Sequence, residues 1–172
     1  MNTEIRDWQP DGSFDRDFLR EVPPADLNSF QEAIHPLSDE ASAAFQRALF
    51  AGIKKPWHYR HTTSWMRRLL HEGFSDRSID TFDKAVIAIR TRIDWAANAR
   101  VFMVPQAPNV YTATWGSFLQ FFQRGHIRLF ENMLVCNPLH RDVVLFWEGY
   151  CWPYFGKRGS RRLPCSTWDS EV

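Results

Sequence analysis

The sequence predicts an α+β fold: N-terminal helices followed by a β-β-α-β-β unit that forms a small, mainly antiparallel sheet. Three observations predict it. Before residue 100, apolar residues recur at spacings of three and four, which is helical periodicity. From residue 100 onward, short β-branched and aromatic runs are separated by turn residues, which is strand grammar. One ring-rich stretch, "TATWGSFLQFFQRG" at residues 112–125, interrupts those runs and returns to the helical spacing.

Residues 1–24 read as irregular, because "QPDGS" is turn chemistry and "VPP" is a stiff stop. Asp26 is placed to cap a short helix with Leu27, Phe30 and Ile34 on one face, ended by Pro36. Ser38 caps a second helix, where Asp39 and Glu40 complement the positive end of the helix dipole. Its apolar face is Ala41, Ala44, Phe45, Ala48 and Leu49, and Gly52 is its stop. A third helix follows Thr62, Thr63 or Ser64, carries Trp65, Leu69 and Leu70, and stops at Gly73. A fourth carries Ile79, Phe82, Val86, Ile89, Ile93 and Ala96 as one stripe, with Asp80 four residues before Lys84 on the wet side.

"RVFMVP" and "NVYTAT" then read as a hairpin. Thr114 caps the next helix, Trp115, Phe118, Leu119 and Phe122 line one stripe, and Gly125 ends it. Four large residues on one stripe point to a core-facing helix rather than a ligand platform. "NMLVCNP" and "DVVLFWEGY" are the last two strand runs. They are apolar on both faces, which suits strands covered on both sides. The organisation expected is an acidic irregular arm over 1–24, one α+β domain over 25–160 and a C-terminal tail over 161–172.

With 172 residues, the chain is long enough for a core that needs no staple. Its hydrophobic share of 44% and charged share of 24% exclude a disordered chain. The start of the chain has neither a basic cluster nor an apolar run, so no signal peptide is expected. No apolar run of about 18 residues is present, so no membrane span is expected. Three cysteines, an odd number without a regular framework, argue against a secreted disulfide scaffold. The expected compartment is the cytoplasm.

Motifs for chemistry are sparse. Neither dinucleotide nor P-loop glycine patterns occur, and "GKRGS" at 156–160 opens no apolar helix on which a phosphate could sit. Cys136, His140, Cys151 and Cys165 supply metal-ligand types, with a C-x3-H spacing in the first pair. The spacings are too loose for the tight knuckles of structural zinc, and buried cysteine behaves as a small hydrophobe. A Cys151 pairing with His126 or His140 as nucleophile and base has no sequence support, because a reactive thiol needs access and a depressed pKa. Asp39 and Glu40 diverge by about 100° on a helix, unlike an acid–base pair. No serine sits in a G-x-S-x-G turn. No catalytic residue, metal or cofactor is expected.

Charge is more informative. The chain carries +1 overall, yet residues 1–40 hold ten acids against three arginines. That segment is therefore −7 and the remainder +8. Such asymmetry marks an arm that lies over the basic body of its own chain or meets a partner. Residues 54–68, "KKPWHYRHTTSWMRR", and 156–162, "GKRGSRR", are basic without an acid, and the first interleaves rings. Such a segment suits protein contact through Trp, Tyr and Arg anchors, or single-stranded nucleic acid through charge and stacking.

"VYTATWGSFLQFF" followed by "NMLVCNPLHRDVVLFWEGYCWPYFGKR" resembles small bacterial proteins of the immunity-protein type over residues 100–158. Those carry Thr-Thr-Trp-x-x-Phe at a helix start, a strand pair, and a closing Phe-Gly-Lys-Arg. The matching residues here are Thr112, Thr114, Trp115, Phe118, Phe155, Gly156, Lys157 and Arg158. This chain departs with Thr-Ala-Thr before the tryptophan. The resemblance implies a cytoplasmic protein that neutralises a cognate toxin by steric occlusion, and brings no catalytic residues with it. The partner-binding residues expected are Trp57, Tyr59, Arg60, Trp152, Tyr154 and Arg158. Two other readings stay open: a nucleic-acid-associated accessory protein using 54–68, and a small enzyme whose site is assembled from distant residues.

Overall fold

The computed structural model describes residues 10–49, 82–105, 109–127, 133–137, 143–147 and 150–154. The helices are α1 (Leu27–Ala33), α2 (Asp39–Leu49), α3 (Phe82–Arg92) and α4 (Trp115–Gln123). The strands are β1 (Ile34–Pro36), β2 (Arg100–Pro105), β3 (Tyr111–Thr114), β4 (Met133–Cys136), β5 (Val143–Trp147) and β6 (Tyr150–Tyr154). The protein is α+β. Its strands form one six-stranded sheet in the order β1-β3-β2-β4-β5-β6, antiparallel at every pairing. Because β2 lies between β3 and β4 and runs against both, those two strands are mutually parallel. Helix α4 makes the crossover that parallel strands require.

At β2 and β4 the sheet is covered on both faces. By register, Val101 and Met103 of β2 share a face with Tyr111 and Ala113 of β3, Val135 of β4 and Val144 of β5. These residues join one core cluster with Phe30 of α1, Val86 and Ile89 of α3, and Phe118 and Phe122 of α4. The alternate residues of β2 point the other way, where the Phe102 ring lies 4.6 Å from the Phe45 ring of α2. Val104, Leu134 and Cys136 are fully buried as well. Strand residues apolar on both faces follow from this double cover. Each fully buried ring contributes roughly 1.5–3 kcal/mol relative to an exposed one.

Helix α4 is fixed at both ends by local chemistry. Thr114 Oγ1 accepts the Ser117 N–H at 3.1 Å, the N-cap bond expected of threonine at that position. At the other end Gly125 takes φ 76°, a left-handed conformation that favours glycine. There the Gly125 N–H donates to Phe122 O and the His126 N–H donates to Phe121 O, both at 3.0 Å. That pair of bonds is the Schellman closure. Ser38 caps α2 through the Ala41 N–H, at 3.2 Å.

Several elements differ from the sequence expectation. The first helix stops at Ala33, and Ile34–Pro36 forms strand β1 against β3. Leu27, Phe30 and Ile34 fit one helical face by spacing, but pairing with Tyr111–Ala113 takes Ile34 out of the helix. Asp26 precedes α1 without making a side-chain cap bond. Of the apolar stripe read for this helix, Val86, Ile89 and Ile93 are buried, Ile93 and exposed Ala96 fall beyond the helix end at Arg92, and Ile79 and the Phe82 side chain lie outside the described residues. The last apolar run is followed by a further strand, β6, which pairs with β5. The third helix anticipated at 62–73, the stop at Gly52 and the Asp80–Lys84 pair lie outside the described residues.

Strand β1 is a blunted edge. The Leu37 N–H donates to Val110 O, so by alternation the polar backbone groups of Ile34 and Pro36 face away from β3. The Ile34 N–H is taken by Phe30 O, and Pro36 has no N–H to offer. The Pro36 carbonyl accepts the Gly12 N–H at 3.1 Å. A further strand finds little to pair with on that side.

Candidate functional site

The rings of residues 115–122 are core. Trp115, Phe118, Leu119, Phe121 and Phe122 are all buried. Phe118 stacks at 5.3 Å on Trp115 and 5.6 Å on Phe122, and Trp95 meets Trp115 edge-on at 4.7 Å. A ring platform for a ligand must present a face, and these faces are filled by one another. The start of α4 is occupied too. Trp115 N–H donates to Ala99 O and Gly116 N–H to Ala97 O, both at 2.8 Å. A side chain at Gly116 would press on the Ala97 carbonyl at 3.1 Å, so glycine permits this close approach. With the Thr114 cap taking the Ser117 N–H, these donors are committed to the chain and do not converge on an anion.

The N-terminal segment forms the most distinctive surface. Residues 10–26 contain turns but neither helix nor strand. They are pinned to the body by rings: Phe18 stacks on Tyr111 at 3.8 Å with an interplanar angle of 8°, and Phe14 stacks on the same tyrosine at 5.7 Å. Phe30 lies 6.2 Å from Phe14 and 6.1 Å from Phe18. The Tyr111 hydroxyl accepts the Asp15 N–H at 3.2 Å. Val22 is buried beneath, and Leu19 packs on the same cluster. At Gly12 a side chain would collide with the Leu37 carbonyl, so the chain can run this close to the end of β1 only with glycine there. Apolar side chains of the segment thus face inward, while Asp11, Asp17, Glu21, Glu32, Asp39 and Glu40 are exposed.

One polar cluster lies beside this surface, and another lies on the opposite face of the sheet. His126 is buried against Phe121, with Nε2 3.4 Å from Asp26 Oδ2 and, among the described residues, no hydrogen-bond partner for Nδ1. Arg124 approaches the same carboxylate at 3.9 Å. This clasp ties the entry to α1 to the exit from α4; the exposed Arg124 arm of it adds little stability. On β2, the Arg100 Nε donates to Thr112 Oγ1 at 3.1 Å and the guanidinium lies 5.2 Å from the Phe102 ring centroid. Partial burial lowers the Arg100 pKa from its usual value.

Of the partner-binding residues expected from sequence, Trp57, Tyr59, Arg60 and Arg158 lie outside the described residues. Trp152 and Tyr154 stand on β6, at register positions opposite Leu145 and Val143. His140 and Cys165 also lie outside. Cys136 is a buried free cysteine on β4. Cys151 is opposite Phe146, which is opposite Met133, so β5 separates the two cysteines and they fall on opposite faces. Two strand spacings put them about 9–10 Å apart sideways alone, too far for a shared metal or a disulfide. His126 is held at Asp26, next to the helix that leads into the other edge strand, so no Cys151–His126 pair forms among these elements. Among the described residues, no group of three metal-ligating side chains occurs. No helix among them is long and apolar enough to cross a membrane.

No family model, curated protein or solved structure matches this chain. The local geometry therefore carries the functional reading.

Sequence reasoning missed the inward-facing half of the N-terminal segment. Phe14, Phe18 and Val22 are spaced by four, and that spacing was the available signal. The turn residues on either side hid it.

Proposed function

We propose that this chain is a cytoplasmic protein-binding protein of the immunity type that neutralises a cognate bacterial toxin by covering it. The observation that carries the reading is the N-terminal surface: a segment pinned by Phe14, Phe18 and Val22 exposes Asp11, Asp17 and Glu21 beside Arg16 and Arg20, and Glu32 of α1 and Asp39 and Glu40 of α2 are exposed as well. Anchored acids form a surface of defined shape, and shape with charge is what an inhibitor needs to meet a basic active-site rim. Electrostatic complementarity of this kind accelerates encounter and rejects wrong partners. The six-stranded sheet lies behind it. Trp57, Tyr59, Arg60, Trp152, Tyr154 and Arg158 are proposed as the anchor residues that hold the complex after encounter.

The test is a tagged pull-down from native cytoplasm at moderate salt, followed by expression of the recovered partner alone and together with this chain. A stoichiometric partner that arrests growth alone and is silenced by co-expression supports the proposal. Association should slow as salt rises, because exposed charges are screened within about 8–10 Å at physiological salt. A partner that is harmless overturns it, and recovery of nucleic acid whose binding falls steeply with salt overturns it in favour of the accessory-protein reading.

A further inference from the structure

We propose that Asp11–Gly12 is a modification site, at which the chain forms an isoaspartyl linkage when its N-terminal segment lifts from β1. The proposal is independent of the toxin reading. The sequence holds one pair in which Asp or Asn precedes glycine, and it is this one. Glycine matters chemically, because its backbone nitrogen is not hindered by a Cβ on the residue it belongs to. Asp11 is exposed, in a stretch that is neither helix nor strand. Asp15, Asp17 and Asp26 are followed instead by Arg16, Phe18 and Leu27. The carboxylates of Asp15 and Asp26 are also engaged, by the Asp17 N–H and by His126.

The step is internal and balanced. The Gly12 nitrogen bonds to Cγ of Asp11; the carboxyl loses its hydroxyl and the nitrogen its proton, which leave together as water. The five-membered imide that results takes water up again. Opening at the main-chain carbonyl leaves Asp11 joined to Gly12 through Cβ and Cγ, with a free α-carboxylate and one more carbon in the backbone. The seated segment resists the first step. The Gly12 N–H donates to the Pro36 carbonyl at 3.1 Å, and the glycine lies where even a Cβ would collide with the Leu37 carbonyl. The nitrogen must leave that bond to attack, and the imide has no N–H with which to remake it. The reaction therefore draws on molecules whose segment has opened. Their share is set by the contacts that hold the segment down, chiefly the Phe18–Tyr111 stack and the bond from the Asp15 N–H to the Tyr111 hydroxyl. After conversion the lengthened backbone brings a carboxylate towards the Pro36 and Leu37 carbonyl oxygens, so the segment reseats poorly.

The full-length protein, incubated at neutral pH beside a sample held in denaturant, tests this. Peptide mapping by electron-transfer mass spectrometry, which tells the two linkages apart, should find isoaspartate at residue 11 and none at residues 15, 17 or 26. It should accumulate about tenfold or more slowly in the folded chain than in the unfolded one. Asp11→Glu should abolish the product, since glutamate would have to close a six-membered ring. Phe18→Ala removes the stack without altering the reacting pair, and should bring the rate towards that of the unfolded chain while circular dichroism shows the body still folded. Aged protein should be cut within residues 12–22 faster than fresh protein, in step with its isoaspartate content. Absence of isoaspartate at residue 11 in the folded chain overturns the proposal. So does a folded rate equal to the unfolded one, or a rate unmoved by Phe18→Ala.

Discussion

Replacing Ser42 with alanine isolates the worth of one buried hydrogen-bond bridge. Ser42 is on α2 with 1% of its surface exposed; its hydroxyl accepts the Val110 N–H at 3.0 Å and donates to the Leu37 carbonyl at 3.4 Å. Val110 is fully buried at the entry to β3. Alanine keeps the helix and nearly the same volume but leaves that N–H without its acceptor. An orphaned buried donor costs about 1–3 kcal/mol, more than the bond's net contribution in an exposed setting. The long 3.4 Å bond adds little to the sum. With a urea slope of roughly 2 kcal/mol/M, the midpoint should fall by about 0.5–1.5 M with no change in slope. Equilibrium unfolding followed by circular dichroism and tryptophan fluorescence reads this directly. Amide exchange at Val110 should accelerate by more than that of its strand neighbours. A midpoint within about 0.1 M of the parent, with Val110 protection intact, would refute the reasoning, because the N–H would then have another acceptor.

Two further outcomes are expected. Phe118→Ala removes a fully buried ring that stacks on both Trp115 and Phe122, so stability should drop by about 3–5 kcal/mol in chemical denaturation; partner affinity measured where the variant is still folded should not change. Gly12→Ala forces the arm away from the Leu37 carbonyl, so limited proteolysis should cut within residues 10–22 much faster while the rest of the chain stays protected.

Much of the α+β pattern was legible where the chain reports on itself locally. The stripe of α4, its Thr114 cap and its Gly125 stop all depend on residues within one or two turns of each other. The doubly apolar runs of β4 and β5 pointed to strands covered on both sides, and in β4 Met133, Leu134, Val135 and Cys136 are all buried. Strand β1 was illegible because three residues, one of them proline, have no periodicity to read; only distant β3 makes Ile34–Pro36 a strand. Strand β6 had a signal in Glu148–Gly149, a two-residue connection between apolar runs, which Pro153 obscured. Ser42 is buried although it falls beside the apolar face read from Ala41, Ala44 and Phe45, since a polar residue betrays no partner in sequence. Asp26 reads as a cap and instead meets His126, a contact between the ends of two separate helices. For the candidate site, the acid excess was visible as composition. That its rings turn inward was not, because the pocket that receives them comes from β3.

The placement of β1 has a consequence for the order of events on the ribosome. Among the described residues it emerges before the other strands and pairs with β3, which is made roughly 75 residues later, a separation that slows pairing through the cost of loop closure. Hairpins β2–β3 and β5–β6 have partners close in sequence and can zip as soon as they clear the exit tunnel. The first of the described strands to be synthesised is thus a late one to be seated. Until then Ile34 and Phe30 are apolar surface on a nascent chain, and a translational pause before Tyr111 would prolong that exposure.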